Sequence, residues 1–181
     1  MAGPGPARFG GLRIPRGHAR KVELNRLRSG AEYGEVVLFR DTTASLQLQA
    51  FRTLGNPQWE QVRLRLEADV RARGGEVEQR SGQAGVELRA VVPVVRESHG
   101  RDSMTVRFIG CDGPGWLLRG VVNGEVARLE SRDDWAYSCF ESVVVVPSFA
   151  VRTATVSTSP TVYAPIVPPD QGRVIPLRMP Q

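Results

Sequence analysis

Alternation of apolar and polar positions dominates the middle of this chain. Val22 and Leu24 open an alternating stretch. Gly34 to Arg40 reads as a strand, and Leu46, Leu48 and Ala50 alternate with Gln47 and Gln49. Asn56-Pro57 then predicts a helix start, since Asn56 can accept from orphan amides and Pro57 suits the first helical position. Trp59, Val62, Leu66 and Val70 fall on one face at helical spacing. Arg63, Glu67, Arg71 and Arg73 cover the rest, and Gly74-Gly75 stops the helix. A second strand run has Val86, Leu88, Ala90 and Val92 alternating, with Pro93 pointing to an edge or a bulge. After a polar loop from Arg96 to Asp102, Met104, Val106 and Phe108 alternate again. Cys111-Asp112-Gly113-Pro114-Gly115 reads as a turn, and Trp116, Leu118 and Val122 continue the pattern. Asp133-Asp134 opens a short helix with Trp135 and Cys139 on one face, and Val143 to Val146 reads as a terminal buried strand. The expected fold is α+β: an antiparallel sheet with two helices packed on one face, and extended N- and C-terminal arms.

The flanks differ from this body. Residues 1–20 form a basic, Gly/Pro-rich arm, residues 21–146 the core domain, and residues 147–181 a Pro/Ser/Thr-rich extended tail. The tail holds seven of the thirteen prolines, and six of the nine residues Thr153 to Thr161 are Ser or Thr, so it cannot bury a core of its own. At 181 residues the chain has room for one such domain. No apolar run approaches the roughly 20 residues that a membrane helix needs. Nor does the start carry the apolar stretch of a secretory signal, so the expectation is a cytoplasmic protein with no membrane span.

Charge changes the picture further. Residues 1–28 hold Arg8, Arg13, Arg16, Arg20, Lys21, Arg26 and Arg28 against Glu23, a net of +6. Residues 29–149 hold fourteen Arg and seventeen acids, a net of −3, within a total of +5. The basic total therefore describes the arm. Such an arm attracts phosphates and other polyanions without reading sequence, or simply stays solvated. Arg8, Arg13, Arg16, Arg20 and Lys21 are its candidate nucleic-acid contacts, although only Phe9 among them offers a stacking ring.

Catalytic signatures are missing: no GxxxxGK[ST], no HExxH and no GxSxG occurs. Cys111 and Cys139 are in no metal-binding spacing and read as reduced, core or half-buried thiols. His18 sits in the arm and His99 in a loop, so sequence places no base beside a thiol. Asp133-Asp134 is better explained by a helix N-terminus than by a metal. No cofactor is expected, and a catalytic reading would need an unrecognised cleft using Asp, Glu or Cys111.

One arrangement does suggest a contact surface. A hairpin about Asp112–Gly115 in which Phe108 and Leu118 share a face pairs Gly110 with Trp116 and Arg107 with Arg119. Extending that register places Val91 beside Arg107. Met104, Val106, Phe108, Trp116, Leu118, Leu88 and Ala90 then make the core face. Arg89, Arg107 and Arg119 stand on the reverse among Val91, Ile109, Leu117 and Val121. Directly opposed like charges destabilise a strand pair unless a bound anion, an acidic partner or an internal carboxylate such as Glu87 offsets them. Mixed apolar and Arg composition suits a partner-facing surface, and equally a solvated face with Arg stems lying along apolar neighbours.

Several stretches resemble a known family. They are Leu46-Gln47-Leu48-Gln49-Ala50-Phe51, Trp59 with Val62, Gly85 to Val94, and above all Val106-Arg107-Phe108-Ile109-Gly110-Cys111-Asp112-Gly113-Pro114-Gly115-Trp116-Leu117-Leu118-Arg119-Gly120-Val121. Together they resemble the actinobacterial domain-of-unknown-function family number thirty-seven-ten, from about Leu12 to Val146. The chain departs from that family in a basic rather than acidic segment before the first strand, and in its tail from Val151 to Gly172. The resemblance implies an intracellular protein and carries no catalytic residue. The layout also looks like the PsbP-type α+β sandwich, which implies a binding or assembly module. The resulting expectation is a non-catalytic module that contacts a protein partner or another copy through its arms and the Arg89, Arg107 and Arg119 face. Nucleic-acid association through the basic arm is the alternative.

Overall fold

The computed structural model describes residues 6–17, 31, 33–54, 58–96, 100–128 and 133–147 in full, and the backbone of 21–24 and 174–175. Strands make most of it. β1 (Ala7–Phe9), β2 (Leu12–Ile14), β3 (Lys21–Leu24), β4 (Gly34–Phe39) and β5 (Ala44–Arg52) lead to helix α1 (Trp59–Ala72). β6 (Glu76–Gly82), β7 (Gly85–Arg96), β8 (Gly100–Gly113) and β9 (Trp116–Gly124) follow, then a 3-10 turn at Glu125–Ala127. Helix α2 (Trp135–Glu141), β10 (Val144–Val145) and β11 (Val174–Ile175) complete the order. The main sheet runs β11-β7-β8-β9-β5-β4-β3, with β6 also on β7, and a second sheet runs β1-β2-β10. Every pairing among the described residues is antiparallel, so the fold is α+β.

Strand alternation gives the main sheet two apolar faces. On one, Val36, Leu38, Leu46, Leu48, Ala50, Ile109, Leu118 and Val122 pack with Leu12, Ile14 and the α2 residues Ala136, Tyr137, Cys139 and Phe140. On the other, Leu88, Ala90, Val92, Val94, Val106, Phe108, Leu117 and Val121 pack with Trp59, Leu66 and Val70 of α1. The helices thus cover opposite faces, not the single face expected. The cause is visible in β9, where Leu117 and Val121 point one way and Leu118 and Val122 the other. A strand apolar on both sides must be covered on both sides.

The hairpin turn is tighter than expected. β8 runs to Gly113 and β9 starts at Trp116, so Gly113 pairs with Trp116 and the loop is only Pro114-Gly115. Gly115 takes φ +71°, which such a corner requires and L side chains avoid. Gly110 therefore pairs with Arg119, and Arg107 with Val122. Between β7 and β8, Arg89 rather than Val91 stands opposite Arg107.

The ends of the body also differ from expectation. Ala7–Phe9 and Leu12–Ile14, read as part of an arm, form a hairpin whose Leu12 and Ile14 are buried in the core. Val144–Val145 is not a buried strand: it pairs with β2 at the rim of the small sheet, and Val144 is 54% exposed. Val174–Ile175 pairs with Val95 and Arg96 of β7. The rest of the tail from 148 onward, Arg20, His18, His99 and the Asn56-Pro57 cap lie outside the described residues. Among the described residues no helix is long and apolar enough to cross a membrane.

Candidate functional site

The three sheet arginines do not form a surface. Arg107 shares its face with Ile109 and Val122, on the α2 side, whereas Arg119 shares its face with Leu117 and Val121, on the α1 side. Arg107 is 2% exposed and Arg119 9%. The expected partner-facing cluster of Arg89, Arg107 and Arg119 is corrected on both counts. An odd shift of hairpin register, from Gly110 to Gly113 opposite Trp116, turns every side chain of β9 to the other face. The shift at β7 is even, so Arg89 and Arg107 do keep a common face.

Their charges are offset inside the molecule. Glu87, 1% exposed, accepts from Arg89 Nε at 2.8 Å and from the Tyr137 hydroxyl. Arg107 Nη2 donates to the Val126 carbonyl at 2.7 Å, and its Cζ stands 5.0 Å from the Tyr137 ring centroid. Burial, and then the hydrogen bond to Glu87, push the Tyr137 phenol up from its ordinary value. Glu87 is thus the internal carboxylate for Arg89, while Arg107 rests on the Val126 carbonyl and the Tyr137 ring and keeps a buried Nε with no hydrogen-bond acceptor. Arg119 is satisfied differently: its Nε and Nη2 donate to Gln49 Oε1 at 2.8 and 2.6 Å, and its Cζ lies 5.0 Å from the Phe51 ring centroid. Gln49 Nε2 in turn donates to Glu35 at 2.9 Å, and Gln47 bonds the same carboxylate oxygen.

The other chemical candidates are also held by packing. Burial pushes the Cys139 thiol up to about 12, and burial together with Asp112 pushes Cys111 up to about 11. Both cysteines are free, and a nucleophile at neutral pH needs the thiolate that burial suppresses. Asp133 accepts from the Trp135 amide at 2.9 Å at the start of α2 and also meets Arg40, as a helix-start carboxylate should. Among the described residues no three His, Cys, Asp or Glu side chains group as metal ligands do.

An open arginine pair remains, in the small sheet. Arg8 and Arg13 are direct register partners, and Val144 is the neighbour of Arg13 on β10. Leu12 and Ile14 point to the core, so alternation turns Arg8, Arg13 and Val144 outward. Arg8 is exposed and Arg13 half-buried, and among the described residues neither has an ion-pair partner. Arg16, also exposed, follows just past β2. Lys21 begins β3, opposite Phe39.

A family model described as Protein of unknown function (DUF3710) matches residues 5–155. The chain belongs to that family. No curated protein matches it. In this DUF3710 chain the stretch Val106–Val121 is explained by packing. A Cβ at Gly110 would run into the Trp59 ring, and one at Gly113 into the Trp116 ring. Asp112 reaches from the hairpin to the start of α1, accepting from the Gln58 amide at 2.7 Å and the Trp59 amide at 3.0 Å. It thus satisfies orphan donors at the positive end of the helix. Trp59 Nε1 then donates to the Val86 carbonyl at 2.8 Å. Glycine, aspartate and tryptophan together lock helix, hairpin and β7. The motif is legible in the sequence but this cap is not, because Asp112 and Trp59 lie 53 residues apart in the chain.

Proposed function

We propose that this DUF3710 chain is a non-catalytic binding or assembly module whose contact surface for an anionic partner is the outer face of β1-β2-β10. The observation that carries the reading is the opposed Arg8–Arg13 pair, which has no ion-pair partner among the described residues. Like charges facing each other across a strand pair oppose folding, and here no described carboxylate pairs with either guanidinium as Glu87 does with Arg89. A partner's negative charge would turn that unfavourable pair into a favourable contact. Free thiols at Cys111 and Cys139 fit a reducing, cytoplasmic setting for it.

Heparin-column retention tests the reading. R8Q/R13Q should elute at distinctly lower salt than the wild-type chain. R65Q/R101Q, which removes the same charge from exposed positions on α1 and β8, should elute close to it. Equal loss from both variants would reduce the effect to net charge and sink the assignment of this face.

A further inference from the structure

We infer that the partner of the Arg8–Arg13 face is the phosphate backbone of a nucleic acid, held without reading bases; this rests on the proposed contact surface. Three observations support that occupant and the way it is held. First, the outward row holds two guanidinium groups and one exposed apolar side chain, Val144. Stable protein interfaces need a buried apolar or aromatic centre, whereas phosphate contacts are polar and charge-driven. Second, Phe9 alternates to the inner side, where it packs against the core, so the row presents no ring for base stacking. Binding would therefore track the backbone alone. Third, charge is segregated along the chain: residues 1–28 carry +6 and residues 29–149 carry −3. Arg8, Arg13 and Arg16 of the hairpin region belong to the basic segment, and a polyanion is favoured there over the acidic residues 29–149. Two arginines on neighbouring strands, with Cα atoms about 5 Å apart, can bracket one phosphate or hold adjacent ones with paired donors.

Fluorescence anisotropy with a labelled oligonucleotide and its duplex, in sodium chloride from 50 to 200 mM, tests this. Each phosphate contact adds a slope of about −0.9 to the log–log salt dependence on duplex. R8Q/R13Q should lower the slope by about 1.8, so its affinity loss over that fourfold salt range is roughly 12-fold smaller than the wild type's. R65Q/R101Q should keep the wild-type slope, and oligonucleotides of different sequence should bind alike. Strong sequence preference, or an R8Q/R13Q slope equal to wild type, would overturn the inference. Polyglutamate supplies the distinguishing arm. If it binds through Arg8 and Arg13 while nucleic acid does not bind, the contact surface stands and its nucleic-acid occupant falls. If neither polyanion depends on these arginines, both readings fall.

Discussion

Two arginine pairs stand directly opposite each other across neighbouring strands: Arg89 with Arg107 in the main sheet, and Arg8 with Arg13 in the small one. The first pair is enclosed, and the molecule supplies its own answer: the Glu87 carboxylate, the Tyr137 ring and the Val126 carbonyl. The second faces outward with no such answer among the described residues. Arginine count and strand pattern are the same in both. What separates them is whether a carboxylate is placed within reach. The enclosed pair is held by the fold's own groups, and the open pair is the one the proposed contact surface uses.

The largest effect should come from breaking the enclosed pair. Glu87→Ala leaves Arg89 beside Arg107 without the carboxylate that pairs with it, and removes the acceptor of the Tyr137 hydroxyl. Stripping the partner from a buried charge costs about 3–5 kcal/mol. Urea unfolding should show a loss of that order, together with loosening of α2, which carries Tyr137. A loss under about 1 kcal/mol, the size of a surface pair, would show that Glu87 is not what makes the two sites differ.

Arg40 lies between the extremes. It meets Asp41 at 2.7 Å and also Asp133, with its side chain 28% exposed. Asp41 is held at about 2, below its ordinary 3.8, first by the Thr43 hydroxyl and also by the Thr43 amide and Arg40, against the opposing effect of burial. Its folded value is depressed, so its stabilisation is present above about pH 4 and is lost as pH falls toward 2. The side chain is 35% exposed, so solvent screening limits the contribution to about 1 kcal/mol. Asp41→Ala should therefore be less stable than wild type by about that much near pH 6, with the gap shrinking at pH 2–3. A gap constant with pH would show that the carboxylate charge at this turn does nothing.

How the two pairs were readable from sequence differs as well. Strand identity in the core is legible, because β5, β7 and β8 carry period-two patterns, β9 is an apolar run, and α1 carries Trp59, Val62, Leu66 and Val70 at helical spacing. Register is not. Nothing local distinguishes a five-residue turn from the Pro114-Gly115 corner, and a slip of three residues places Arg119 on the wrong face. The Glu87 solution could be named as one option, since Glu87 and Arg89 are two apart on one strand and share a face. Tyr137 could not, because it comes from α2, 50 residues away. The small sheet was hidden for another reason. Its strands are three and two residues long, too short for alternation to show, and β10 is supplied from the far end of the body. Composition marked that segment as a basic arm, although Leu12 and Ile14 bind it into the core.

The smallest effect bears most directly on the open pair. Arg8→Glu puts an opposite charge across from Arg13 at an exposed position. Opposed unlike charges on neighbouring strands contribute roughly 0.2–1 kcal/mol, and the like pair they replace is unfavourable. Thermal unfolding should therefore shift upward in the variant, with the gain shrinking in 1 M salt as screening removes it. Heparin retention should fall at the same time. A substitution that improves the fold while removing polyanion binding separates the two demands on this face. Natural chains keep such uncorrected contacts where activity needs them. If Arg8→Glu left both stability and retention unchanged, the Arg8–Arg13 pair would be as inert as any solvated side chains, and its contrast with Arg89–Arg107 would be one of burial alone.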